Sequence, residues 1–245
     1  ARNLAEHGEW AFIPGEPSAA STSPLYTVLL SAGYVLHLPF FWWTFALGAL
    51  PLAAAGWIGA RLGPVMFPDR RGVELWTGLA MVVTWHLVWA AASGMETMLF
   101  CTLSLLVVGL AWRERPAREP SPRPRDAFGR GGVLGLAGAA LTLTRPEGVG
   151  LVGLVGLFVL VAWPYDTWRT GWRAYLAWAS GVALGWLIGV GPYLALNYHL
   201  SDDFLPDTSA AKQAENAPAR ELPLLERYGR MLLPLSAGVQ LLMVP

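Results

Sequence analysis

Long apolar stretches recur along this chain, and nothing else in it leaves so few ways to fold. A bilayer hydrocarbon core of about 30 Å needs roughly 20 mostly apolar residues in an α-helix. Stretches near residues 40–61, 73–92, 96–112, 131–144, 148–163 and 172–196 answer to that length, the fourth and fifth loosely, and a seventh is expected to open near residue 229. Residues 25–38 are apolar but too short to span, which predicts a helix lying at the interface, with Pro24 suited to its first turn. Only 14% of the residues are charged, against about 25% in an average soluble domain. The expected fold class is all-α, a polytopic transmembrane helical bundle. Residues 1–39 would form an external loop and interfacial helix, and residues 40–245 an incomplete bundle.

The arginines set the expected orientation. Arg61, Arg70 and Arg71 fall in one connection, Arg113 to Arg130 in the next but one, and Arg169 and Arg173 in the next but one after that. Such alternation follows the positive-inside rule. Residues 113–130, rich in Pro and Arg, read as a solvated cytoplasmic linker. Residues 1–24, the turns Ser93 to Thr97 and Thr144 to Gly148, and a loop over 197–228 are then left on the external face.

Trp42, Trp43, Trp89, Trp112, Trp163, Trp168, Trp172 and Trp178 lie mostly near expected helix ends, where an amphipathic ring favours the headgroup region. The glycine-rich stretches 131–138, 148–156 and 181–191 read as small-residue packing faces between helices. Opposite charges balance at 17 each, which argues against nucleic acid as a partner. Cys101, the one cysteine, excludes an internal disulfide or cysteine metal site. Four scattered histidines offer no ligand pair for haem, and no G-x-S-x-G, H-E-x-x-H or Walker pattern occurs. The chain starts without Met or a signal-like segment and stops within an apolar run, so it reads as cropped at both ends.

Candidate chemistry therefore gathers on the external side. Glu96 opens a helix in Ser93-Gly94-Met95-Glu96-Thr97. Either it is a capped helix end with Ser93 as N-cap, or it faces a polar cavity and binds hydroxyls or assists proton transfer. Arg145 in Thr144-Arg145-Pro146-Glu147-Gly148 either pairs locally with Glu147 or turns inward to hold a phosphate. Lys212 is the only lysine, either a solvated loop residue or a phosphate contact. Asp202 and Asp203 could offer oxygens to a divalent cation.

Several short patterns then agree with one family. Arg2-Asn3-Leu4, Pro14-Gly15-Glu16 and Thr22-Ser23-Pro24-Leu25 resemble the first external loop of polyprenyl-phosphate-sugar glycosyltransferases of the GT-C class, nearest the branch of mycobacterial terminal arabinofuranosyltransferases. The Ser93 to Thr97 turn, the Thr144 to Gly148 turn and the segment Pro206-Asp207-Thr208 to Lys212 match further patterns in the same order, with Asp207 standing where many relatives carry Asn. The resemblance implies an enzyme integral to the cytoplasmic membrane, with its active face external. It would move a sugar from a polyprenyl-phosphate donor to a hydroxyl of a cell-envelope glycan, lipid or protein acceptor. It further implies a catalytic acidic pair upstream of Ala1, an auxiliary catalytic role for Glu96, and donor-phosphate contacts from Arg145 and Lys212. Substrate contacts would come from Glu147, Asp207, Ser23 and Tyr26, with a divalent cation as the one conceivable cofactor. The alternative is a non-catalytic structural or transporter-type subunit that binds a partner through its external loops.

Overall fold

The computed structural model describes residues 1–19, 21–113, 123–162, 165–204, 223–226 and 228–229. Most of these are helical. α1 (Arg2–His7) and the antiparallel pair β1 (Ala11–Ile13) and β2 (Glu16–Pro17) precede α2 (Pro24–Val35) and α3 (Phe40–Met66). α4 (Val73–Val83), α5 (Trp85–Ala92), α6 (Thr97–Arg113), α7 (Pro124–Thr144), α8 (Gly148–Ala162) and α9 (Tyr165–Ser201) follow. The expected opening of a seventh span lies outside the described residues.

Two helices are both long and apolar enough to cross a membrane, α3 and the stretch Trp172–Ser201 of α9. The pair α4 and α5 makes a third if taken together, bent by 50°. The bend falls at Thr84, whose ψ of 115° is extended and whose hydroxyl donates back to the Ala80 carbonyl. α6 and α8 are apolar but shorter. α7 begins at Pro124, inside the expected linker, because Pro fits a first helical turn and Ala127 packs into the core beneath it. At 21 residues α7 is about 31 Å long.

Side-chain contacts fix the directions. Thr77 on α4 donates to the Gly59 carbonyl at 3.0 Å, and Thr102 on α6 to the Pro51 carbonyl at 2.8 Å. Trp112 near the end of α6 stacks on Phe158 near the end of α8. α3, α6 and α8 therefore run one way, and α4–α5, α7 and α9 the other. The upper end of the bundle carries residues 1–24, the α5–α6 and α7–α8 turns and the end of α9, the four segments that the arginine pattern assigns to one side. Two apolar clusters share α6, one built on α3 and α5, the other on α7, α8 and α9.

Glycine brings the helices this close. A Cβ on Gly131 would stand 2.1 Å from the Trp178 carbonyl oxygen, and one on Gly135 2.2 Å from that of Val182. From the other side, Gly181 faces the Phe128 carbonyl at 2.2 Å and Gly185 that of Gly132 at 2.5 Å. α7 and α9 thus touch backbone to backbone, the small-residue packing expected of these stretches. Gly48 repeats the device on α3 against Ala91 of α5.

Two expectations need correction. Gly150, Gly153 and Gly156 on α8 have nothing within 4 Å of a would-be Cβ, so that face packs against no described residue. Trp178 does not lie in an interfacial belt. It is fully buried, in the apolar cluster that α6, α7, α8 and α9 share. Elsewhere the outer surface is apolar, with Phe41, Trp42, Trp76 and Trp85 all exposed, as lipid-facing side chains are.

Gly135→Ala forces a Cβ into the Val182 carbonyl and is expected to cost about 1–3 kcal/mol. Gly150→Ala meets open space and removes a helix glycine, so it should be neutral or stabilising by up to about 1 kcal/mol. Thermal unfolding in detergent, followed by circular dichroism, separates the two.

Candidate functional site

The α5–α6 turn places the first acidic group. α5 ends at Ser93, whose hydroxyl donates to the Ala90 carbonyl at 2.8 Å, and Gly94 follows at φ 71°, the left-handed geometry that ends helices. Ser93 therefore closes α5 and is not the N-cap of α6. Glu96 takes that place itself, its carbonyl accepting the first α6 bond from the Phe100 N–H at 2.9 Å. Its carboxylate sits at the positive end of the α6 dipole, with 20% of the side chain exposed.

Arg145 reaches this group from another helix. α7 stops at Thr144 because Arg145 turns extended (φ −152°, ψ 137°) ahead of Pro146. The Arg145 Nε lies 3.8 Å from Glu96 Oε1 and 3.7 Å from Glu147 Oε2, and the guanidinium stands 5.8 Å from the centre of the Phe100 ring. Arg145 thus pairs loosely with Glu147, the local partner that its turn offers, and on its other side with Glu96. Both separations exceed hydrogen-bond length. The cation is thus held by charge and by the ring face, with its donor fork uncommitted to either carboxylate.

Tyr26 joins the cluster from α2. Its side chain is buried, and its hydroxyl donates to the Gly94 carbonyl at 2.9 Å. Burial first, and the Glu96 carboxylate second, push its ionisation above the ordinary value of 10. The phenol therefore stays neutral and keeps its donor. Ser23 precedes α2 and accepts from the Thr27 N–H through its carbonyl, and among the described residues no hydrogen bond joins it to Glu96 or Arg145.

The N-terminal motif residues hold the loop together. Asn3 donates to the Ala11 and Phe12 carbonyls at 3.1 and 2.8 Å, and Glu9 accepts from the Gly15 N–H at 2.7 Å. That turn needs Gly15 at φ 84°. The loop is fastened to α9 through Tyr193, whose hydroxyl donates to the Ser21 carbonyl and whose ring lies 6.2 Å from that of Trp10.

Tyr193 and Asn197 are the polar residues that sequence reading passed over. They stand one turn apart near the upper end of α9. Asn197 is fully buried and donates to the Phe204 carbonyl at 3.2 Å, while its Oδ1 has no partner among the described residues. Two polar groups at i and i+4 on an apolar helix were the available signal. Beside them a largely apolar groove of about 210 Å³ runs between the start of α2, the α7–α8 turn and α9, with Pro146, Val149, Trp186, Tyr193 and Leu194 among its walls. Pro146 borders the groove immediately after Arg145.

Asp207 and Lys212 lie outside the described residues. Among the described residues no three His, Cys, Asp or Glu come together as metal ligands. Asp202 ends α9 in left-handed geometry (φ 54°) and Asp203 is exposed.

Tyr26→Phe removes the bond to Gly94 and is expected to cost about 0.5–1.5 kcal/mol. Because the folded Tyr26 ionises above 10, its contribution is complete below that pH and is lost as pH rises through the higher folded value. Melting temperature should thus fall above about pH 10 less steeply in Tyr26→Phe than in the parent. Parallel pH–melting curves measure the difference.

No protein-family model matches the chain, and neither does any curated protein or solved structure.

Proposed function

We propose that the protein is a membrane glycosyltransferase of GT-C type, transferring a sugar from a polyprenyl-phosphate donor to an acceptor hydroxyl on the external face. In this reading α3, α4 with α5, α6, α7, α8 and α9 make six crossings of the cytoplasmic membrane, and α2 lies along its surface. The shorter α6 and α8, about 26 and 22 Å by helical rise, sit within a locally thinner bilayer or a tilted bundle.

The observation that carries the proposal is Arg145, a cation suspended between Glu96 and Glu147 at the rim of an apolar groove. A lipid-phosphate sugar has matching parts. Its isoprenoid chain would occupy the groove, each buried methylene contributing about 0.8 kcal/mol, and its phosphate would take the donor fork of Arg145 in place of the carboxylates. As the bond from the anomeric carbon to the phosphate oxygen breaks, charge grows on the phosphate and the sugar becomes oxocarbenium-like. Arg145, with Lys212, stabilises that charge. Glu96, released from Arg145, orients the acceptor or sugar hydroxyls. The base that takes the acceptor proton is assigned to the acidic pair that the family resemblance implies upstream of Ala1. Tyr26 fixes the turn that carries Glu96.

A transporter-type subunit is the second reading, favoured by the break between α4 and α5, since discontinuous helices often line transport sites. The ionisable residue nearest that break is His86, the second residue of α5, and it is exposed.

Arg145→Ala and Lys212→Ala are each expected to lower transfer from radiolabelled polyprenyl-phosphate sugars by about 10²- to 10³-fold, the loss typical of one charge-stabilising contact. Membrane insertion should be unchanged. Arg145→Lys should recover little, because an ammonium lacks the planar fork. Near-normal transfer by both alanine variants would remove these residues from the site, and substrate-dependent flux without transfer would favour the second reading.

A further inference from the structure

The lower end of the bundle holds a second groove that the proposed reaction does not use. It lies between α6 and α8, has a volume of about 230 Å³, and is bounded by Val108, Ala111, Trp112, Leu154, Val155 and Phe158. Its lining is almost wholly apolar. The Trp112 and Phe158 rings stack at 6.4 Å with 12° between their planes, two large flat groups at the lower end of the cleft. A chain lying along α6 would therefore find carbon on every wall.

The surroundings are charged in one sense. Arg113 follows Trp112 directly and is exposed. Among residues with described side chains, Arg61, Arg70, Arg71, Arg113, Arg123, Arg125, Arg130 and Arg173 belong to this end, against Asp69, Glu74 and Asp126. The upper end has no such excess, since Arg145 there faces two carboxylates. An apolar slot with a cationic lip is complementary to one kind of molecule: an acyl chain that ends in a negatively charged headgroup.

We infer that the α6–α8 groove binds an anionic phospholipid, one acyl chain lying against Trp112 and Phe158 and the phosphate meeting Arg113. The site is independent of the transfer reaction and lies at the opposite end of the bundle. Its occupant is a bilayer component, so it needs no delivery from water. The headgroup charge, more than the chain, sets the selectivity, because any phospholipid supplies a chain.

Native mass spectrometry of the protein released from nanodiscs of equal phosphatidylglycerol and phosphatidylcholine tests this. The expected result is one retained phosphatidylglycerol, and Arg113→Gln should lower its retention about five-fold, the weight of one basic residue at an anionic surface. Val108→Trp, a substitution at a partly exposed position on the groove wall, should abolish retention of that lipid. Circular dichroism and gel filtration confirm that both variants remain folded. Equal retention of the two lipids, insensitivity to Arg113→Gln in folded protein, or a lipid-free dimer that Val108→Trp disrupts would each overturn the assignment.

Discussion

Backbone contact between α7 and α9 is the constraint from which the upper rim takes its shape. With Gly131, Gly135, Gly181 and Gly185 interleaved, the two helices run parallel at a separation no side chain would permit. That contact fixes the height at which α7 ends and hence where Arg145 emerges. It also fixes the face on which α9 presents Trp186, whose indole N–H donates to Thr142 at 3.0 Å, and, about two and three turns further up, Tyr193 and Asn197. A groove can exist beside such a tight seam because α9 rises beyond the end of α7. α7 stops at Thr144, while α9 continues to Ser201.

Charge at the rim follows from this geometry. Glu96 and Arg145 are far apart in the chain and belong to different halves of the bundle, yet their helices terminate at one level. Neither approaches the other closely enough to form a direct hydrogen bond. An exposed or half-exposed pair at such a distance contributes little to stability. Its interest lies in being replaceable: an arriving anion can displace a carboxylate from Arg145 without dismantling the fold.

Much of the architecture was legible as hydropathy. The positions of α3, α6 and α8 follow directly from apolar length, and alternate arginine clusters anticipated which turns share an end. What was hidden had local causes. The bend falls at Thr84, where the backbone turns extended with neither Pro nor Gly to mark it, and hydropathy does not register it. Residues 124–130 look like solvated linker because of Arg125, Asp126 and Arg130, while Ala127 alone turns inward. Trp178 resembled a belt residue because its burial depends on residues of α6, α7 and α8, which its own segment does not show. At the site, Glu96 and Arg145 were visible as charges at span ends, and Tyr26 through its neighbouring Thr-Ser-Pro-Leu pattern. Tyr193 and Asn197 went unread because isolated polar groups in an apolar run carry no motif.

α2 is too short to cross a bilayer, yet it ties several parts of the rim together. Its Leu29 carbonyl accepts from the Trp43 indole of α3 at 2.9 Å, Tyr26 grips the α5–α6 turn, and Thr27 meets Ser21, the residue fastened to α9. Among the described residues, α6 is the element that the two apolar clusters have in common below it. Prising the α3 side away from the α9 side would therefore load a few hydroxyl and indole bonds in series, with α2 as the crossbar between two leaves of a hinge.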